Sequence, residues 1–387
     1  MSREEIFNSV KLEQMHNVKG LKWGRHGPDV IPLFIADQDY PVTTEIKRAL
    51  INAVQDNELG YASDEKVSAL MAEKVNKRNK IKAKPQDIMV TQGINPSMWL
   101  AAKYSCQSGD EVIVTDPMYR PFFTAVDICE AKMIYHKLDD MEGYKFDTDV
   151  LNKLVTKRTK LIFVCNPHNP CGRVLTKAEL RGIGEIAVDH KLTIMSDELW
   201  EDVTFDGREH ISIASLSPEI EERTITSFGF SKTYGIAGLQ MGYLVTTNAQ
   251  IMERLKKISG GVLEGTSSLA KACAHVMLDD TLKWWREGLV KHITKIRDLV
   301  EKRFKKIPGI TCPKLEGTYI MFPNFSSYGK TSKELTDYLL KVGKVAVSDG
   351  STFGPNGEGH ARMIIATSEE IMNEALNRME NALSKLK

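Results

Sequence analysis

Long apolar runs are missing from this chain. No uninterrupted stretch of its 387 residues approaches the roughly 18 apolar residues that a membrane-crossing helix needs, so no membrane partner is expected. Cysteine is sparse: six residues, at 106, 129, 165, 171, 273 and 312, include no C-x-x-C pair. Cys165 and Cys171 come nearest, inside a Pro-rich loop, at a spacing that suits neither a zinc site nor a disulfide framework. Reduced thiols and no metal are the expectation. An excess of one charge is also missing. Lys plus Arg number 52 and Asp plus Glu 51, a net charge of +1, which gives no electrostatic footing for nucleic acid or an anionic membrane. The first residues, MSREEIFNSVKLEQMHN, lack the apolar core of a signal peptide. A cytoplasmic protein is expected, with the sequon Asn324-Phe325-Ser326 unglycosylated. There are no internal repeats and no low-complexity linkers.

What is present is the composition of a globular protein, 42% hydrophobic and 27% charged, in a chain too long for one ordinary core. Short β-branched runs bounded by Gly, Pro, Asp or Asn read as strands: 87–93, 111–116, 131–138, 160–167, 191–198, 223–231 and 242–248. Helical spacing in SMWLAAKYSC, around 118–129, and in TKAELRGIGEIAVDHK separates them. This alternation predicts an α/β fold: a large domain with a mostly parallel seven-stranded sheet sandwiched by helices. Residues 269–307 carry apolar residues at helical spacing and read as a long helix or helix pair. Three strand-like pieces (GTYIMFPNF, KVAVSDG, ARMIIAT) and helices at 331–342 and 368–386 follow, predicting a smaller α+β domain. The expected division is an N-terminal arm (1–45) joining the small domain, a large domain (46–285) and a small C-terminal domain (286–387).

Ligands of an open parallel sheet sit beyond the carboxyl ends of its strands, and the informative residues fall there. Asp197 ends one strand; a carboxylate on a pyridine nitrogen keeps that nitrogen protonated, although a helix N-cap is the structural alternative. Lys232 is nearly the only charge in ITSFGFSKTYGIAGLQMGY, a setting that lowers a lysine pKa and frees the amine to attack an aldehyde. Gly93-Ile94-Asn95 supplies a glycine turn and a helix start for a phosphate. Tyr119 offers a stacking surface or simple packing. Asn169 offers a hydrogen bond or a turn. Arg362, after the Gly-rich loop GPNGEGH, suits a bidentate grip on a carboxylate, or a surface ion pair.

In this order and spacing, LGYA (59–62), VTQG (90–93), DPMY (116–119), NPHNPCGRV (166–174), SDELWED (196–202), FSKTYGIAGLQMGY (230–243) and FGPNGEGHAR (353–362) resemble the class I/II aminotransferase superfamily. This is the aspartate-aminotransferase fold of enzymes dependent on pyridoxal 5′-phosphate (PLP). The resemblance implies that Lys232 holds PLP as a Schiff base and shuttles the substrate's α-proton. It also implies that Asp197 pairs with the ring nitrogen, Asn169 bonds the ring hydroxyl and Tyr119 stacks on the ring. Gly93, Ile94, Asn95 and Ser231 are assigned to the phosphate, and Arg362, with Asn169 and Ala36 beside it, to the substrate. Tyr61 would reach the phosphate of a neighbouring subunit's cofactor, implying a homodimer with shared sites and with amino-acid and 2-oxo-acid substrates.

Three positions depart from the family pattern: Gln240 stands where an arginine often meets the phosphate, Trp200 where a tyrosine is common, and Gly229 where Ser or Thr is usual. Ser231 or an unassigned lysine is the expected compensation. The segment LKWGRHGPDVIPLFIADQDYP is similar to the cystathionine β-lyase-like (C–S lyase) branch, so β-elimination stands as the alternative to transamination. One of Lys19, Lys22, Arg25 and His26 is expected to bind a substrate side-chain carboxylate, favouring aspartate or glutamate.

Overall fold

The computed structural model describes residues 3 and 5–386; residues 1, 2, 4 and 387 of the expected terminal segments lie outside the described residues. All seven expected central strands form one sheet. They are β1 (Ile88–Thr91), β2 (Glu111–Asp116), β3 (Lys132–Lys137), β4 (Thr159–Cys165), β5 (Thr193–Asp197), β6 (Thr224–Gly229) and β7 (Gly242–Val245). Their spatial order is β1-β7-β6-β5-β4-β2-β3. Neighbours from β6 to β3 pair in parallel, whereas β7 runs antiparallel to both β1 and β6. The reversal follows from the connection. A parallel return needs a crossover of about a dozen residues or more, usually a helix. Residues 230–241 form only two short helical turns, Ser231–Tyr234 and Ala237–Leu239.

The central strands are buried along nearly their whole length, as the apolar runs of a sheet covered on both faces require. Edge strand β3 instead exposes Lys132 and Lys137 at its ends, charges that discourage pairing with another chain. Helices such as Asn95–Ser105 and Lys177–Asp189 cover the sheet. The second begins with a capping box, in which Thr176 accepts from the Glu179 amide and Glu179 accepts from the Thr176 amide.

The long periodic stretch resolves into two helices, Ser268–Leu278 and Lys283–Phe304. The latter buries Trp285, Leu289, Ile293, Ile296, Val300 and Phe304 on one stripe. Beyond it, Ile320–Met321, Ala361–Ile364 and Ser348–Asp349 form an antiparallel sheet with Ala361–Ile364 in the middle. Helices Ser332–Lys341 and Glu369–Ser384 accompany this sheet. Ile31–Pro32 pairs in parallel with Val345–Ala346, which fastens the N-terminal segment to this region. Among the described residues no helix is long and apolar enough to cross a membrane.

Candidate active site

The carboxyl ends of β1, β2, β4, β5 and β6 share one edge of the sheet, and each carries a sequence-predicted residue within a few positions. Asp197 is the last residue of β5, the middle strand, in register with Cys165 and Ser227. It is 3% exposed. Oδ1 accepts the Leu199 N–H at 3.1 Å, and Oδ2 faces the Cys165 thiol at 4.0 Å. Among the described residues it makes no ion pair. Burial pushes its carboxyl up to about 7, with Glu198 adding to the effect and the Leu199 N–H and the Lys232 charge opposing it.

Lys232 lies in the short helix Ser231–Tyr234. Its Nζ donates to the Ala36 carbonyl at 2.6 Å and stands 6.0 Å from the centre of the Trp200 ring. Burial lowers the amine to about 8; the Arg362 charge adds to this, while Asp37 and Asp197 oppose it. The neutral, nucleophilic form is thereby brought close to neutral pH.

Arg362 sits on the middle strand of the small sheet, 8% exposed. Its Nη2 donates to the Phe34 carbonyl at 2.9 Å and to Ser348 Oγ at 3.5 Å, and Nη1 to Asn169 Oδ1 at 3.5 Å. The guanidinium lies 4.7 Å from the Phe353 ring centre, and Nε has no partner among the described residues. Burial lowers its pKa to about 10, which leaves it charged at neutral pH. A buried guanidinium held only by neutral acceptors, with a donor to spare, is a receptor for an incoming carboxylate. Tyr119 is half-buried, and its hydroxyl pKa is raised by burial, lowered by the Arg362 charge and raised by Asp197, which places the hydroxyl near both. Lys232, Asp197, Asn169, Tyr119, Ala36 and Arg362 are thus brought together.

Loops hold these groups in place. In NPHNP, the Asn166 N–H donates to the Asp197 carbonyl at 3.0 Å, and buried His168 pairs with Thr115 Oγ1 at 2.8 Å. Burial, helped by the Arg173 charge, lowers His168 to about 3, so it serves as a neutral strut. The Gly-rich loop docks on DPMY: the Asn356 N–H donates to Asp116 Oδ1 at 3.0 Å and the Met118 N–H to the Phe353 carbonyl at 2.7 Å. This carries Arg362 up to Tyr119.

The acids of SDELWED divide their work, a division the motif alone does not reveal. Glu198 accepts from Ser196, Ser212 and His210. Glu201 pairs with buried Lys74 and accepts from Asn79. Asp202 pairs with Arg78 and accepts from Thr233 Oγ1 at 3.0 Å. The Thr233 carbonyl in turn accepts from Trp285 Nε1 at 2.7 Å. The residue after Lys232 is therefore pinned from two sides.

At the other end of the site, Gly93 takes φ +85° after β1, a left-handed turn open to glycine, and the helix Asn95–Ser105 begins. Ile94 is buried and Asn95 exposed; the first N–H groups of a helix have no intrahelical partner. Gly229 has a steric explanation. A Cβ there would lie 2.9 Å from Leu199 Cδ1 and 3.2 Å from Ile94 Cδ1. Gly229→Thr is expected to cost about 1–3 kcal/mol through overpacking, read as a lower midpoint in chemical denaturation; an unchanged midpoint contradicts the crowding. Trp200 is buried edge-on against Tyr319, ring centres 4.6 Å apart, forming an apolar wall instead of a hydroxyl donor.

Tyr61, expected to serve a neighbouring subunit's site, and Lys22 lie outside this cluster. Tyr61 is fully exposed, lining a cavity of about 860 Å³ with Arg48, Asn52 and Lys271, apart from Lys232. Lys22 is unavailable to a substrate carboxylate, because its Nζ is buried against Asp39 Oδ1 at 2.8 Å and the Asp37 carbonyl at 2.8 Å. His26 is weakened too: burial first, then the Arg25 charge, lowers its pKa and keeps it neutral.

A depressed amine, a carboxyl without a cation and a buried guanidinium without a carboxylate define an enzyme site for an aldehyde cofactor and an amino-acid substrate. The family model for class I and II aminotransferases matches residues 28–379. The chain is 34% identical to an aspartate aminotransferase of Pyrococcus abyssi, covering 100% of this chain and 98% of that one. It is 29% identical to cystathionine β-lyase PatB of Bacillus subtilis, covering 97% and 100%. The solved structure of cystalysin from Treponema denticola, which contains a pyridoxal 5′-phosphate cofactor, superposes with a TM-score of 0.90 at 30% identity, covering 96% and 97%. The chain belongs to the class I and II aminotransferase family. That family depends on PLP, and the residues present fit it: Asp197 lacks the cation that a protonated ring nitrogen supplies, and Arg362 Nε lacks an acceptor.

Proposed function

We propose that the chain transfers the amino group of an L-amino acid, with aspartate as the donor, to a 2-oxo acid such as 2-oxoglutarate. The observation that carries the aspartate assignment is Arg25. Its guanidinium lies over the Phe34 ring, 5.5 Å from the centre, and makes no ion pair among the described residues. The carbonyl of the same Phe34 holds Arg362. Two cations flanking one residue suit a substrate with two carboxylates.

In this reading Lys232 carries the cofactor. Asp197 would keep a proton on the ring nitrogen, and Asn169 and Tyr119 would serve the ring hydroxyl and the ring. Gly93, the Ile94 and Asn95 amides, and Ser231 hold the phosphate. When bound, the cofactor's ring draws electron density from the substrate's α-carbon. Arg362 orients that carbon by its carboxylate, near Ala36 and Asn169. Lys232 Nζ then takes the α-proton as general base. The proton held by Lys232 then separates the two outcomes: transamination, or β-elimination, in which a thiolate leaves Cβ. The second reading is favoured by the likeness to cystalysin and PatB.

Incubation with aspartate plus 2-oxoglutarate is expected to yield glutamate, whereas pyruvate and thiol released from cystathionine would mark a lyase. Arg25→Ala is expected to lower the kcat/KM ratio of aspartate to alanine about tenfold, the size of one partly exposed charge-assisted contact. An unchanged ratio excludes Arg25 from substrate selection.

We also assign a homodimer with shared sites. Ile51, Val54, Leu59 and Tyr61 are exposed apolar side chains in neighbouring stretches of the chain, which suits burial against a second copy.

A further inference from the structure

The strand that carries Arg362 is tied at its head to the turn after β3. His360, two residues before Arg362, is buried. Its Nε2 meets Asp140 Oδ2 at 3.3 Å, and its Nδ1 meets the Glu358 carbonyl at 3.0 Å. Asp140 lies on that turn, and the same Oδ2 accepts from Asn324 Nδ2 at 2.8 Å. His360 thereby joins the large sheet to the segment leading into Ala361–Ile364. Its backbone is fixed as well. The His360 carbonyl accepts from the Gly350 N–H at 3.1 Å, and Ser348, which faces Arg362 across the small sheet, stands two residues before Gly350.

Both ring nitrogens of His360 face oxygen atoms that only accept. A carbonyl has no proton to give, and an ionised carboxylate has none either. A neutral imidazole, with one N–H, satisfies one contact and turns a lone pair towards the other. Both bonds form together only when the site holds one proton more than a neutral ring beside a carboxylate. The ring also stacks on Phe322, centres 4.9 Å apart and 10° from parallel, a face that attracts a cation. Other ionisable groups nearby are occupied. The Glu358 carboxylate accepts the Ser332 N–H at 2.7 Å, and Asp139 accepts the Met141 N–H at 2.8 Å. Burial raises the pKa of the Tyr144 hydroxyl and pushes the Cys312 thiol up to about 12, so neither gives up a proton near neutral pH. Among the described residues no Lys or Arg pairs with Asp140.

We propose that His360 is a positioning residue for Arg362: its imidazolium, clasped between Asp140 and the Glu358 carbonyl, holds the strand where the guanidinium meets the substrate carboxylate, and the grip loosens when that proton leaves. The inference rests on the reading of Arg362 as the carboxylate site. Loss of the proton replaces a charge-assisted bond with a lone pair facing a carboxylate. Histidine is the side chain suited to this, because its charge changes within the physiological range. The clasp therefore links carboxylate binding to pH.

Succinate, which is aspartate without its amine, probes the grip in the PLP-loaded protein. Its dissociation constant is measured from pH 6 to 9 for the natural protein, His360→Gln and Asp140→Asn, and each variant is expressed as a ratio to the natural protein. Titration of groups common to all three cancels in that ratio. At pH 6, His360→Gln should bind succinate about tenfold more weakly, the worth of one hydrogen bond between charged groups. By pH 9 the ratio should fall to within about twofold, because the natural protein has then lost the same bond. The amide in Asp140→Asn can accept from the charged ring or donate to the neutral one, so its ratio should fall with pH too. Ratios that stay constant across this range, or visible cofactor bands that titrate differently in the variants, overturn the positioning role and leave Arg362 as the carboxylate site. Succinate binding to Arg362→Leu as tightly as to the natural protein overturns both.

Discussion

Lys232→Ala is expected to lower kcat by about 10⁴-fold while the folded protein still binds PLP non-covalently. General-base catalysis alone is worth about 10²–10⁴-fold, and loss of the covalent attachment removes a second contribution. The fold should survive, because the Lys232 side chain makes one hydrogen bond among the described residues, to the Ala36 carbonyl, and the adjacent Thr233 stays pinned by Asp202 and Trp285. Lys232→Arg should lose as much. A guanidinium keeps the positive charge but is always protonated and cannot act as base. Stopped-flow measurement of the first half-reaction checks both variants. Lys232→Arg activity within tenfold of the natural protein would show that charge, not basicity, is what Lys232 supplies.

Arg362→Leu is expected to lower kcat/KM for amino acids by about 10²–10³-fold, because removing one partner of a buried charge pair costs about 2–5 kcal/mol. Most of the loss should appear in KM, since the carboxylate is gripped in the ground state as well as in the transition state. Arg362→Lys should recover little. An ammonium cannot reproduce the planar fork that reaches Phe34, Ser348 and Asn169 together. Steady-state kinetics on both variants decides this; a kcat/KM within threefold of the natural value contradicts the carboxylate assignment. The visible cofactor band should persist in both, which separates substrate binding from cofactor binding.

Much of the frame was legible in the sequence because its signals are local. Seven short β-branched runs between helical stretches specify the strands of a covered sheet, and the strand ends mark where Asp197, Asn169 and Lys232 must gather. The polarity of β7 was hidden, since a strand's residues do not encode its direction; the clue lay in residues 230–241, too weakly helical to cross the sheet. Lys22 could not be set apart from Lys19, Arg25 and His26 as a candidate substrate contact, because its partner, Asp39, is brought to it only by the bend of the N-terminal segment. The odd residue at 229 was visible, but its cause was not, because Leu199 and Ile94 reach it from other parts of the chain. The same holds for SDELWED, whose four acids look alike in sequence. Their tertiary partners leave Asp197 alone without an ion pair or a cluster of hydroxyl donors.

A single-turnover experiment tests transamination most directly. The PLP-loaded protein is mixed with aspartate in the absence of any 2-oxo acid, and oxo-acid product and the visible band are followed together. Transamination predicts loss of the band and one equivalent of oxo acid per site, then arrest until 2-oxoglutarate restores both. No bleaching with aspartate, together with continuous release of pyruvate and ammonia from a β-thio amino acid while the band persists, would contradict it.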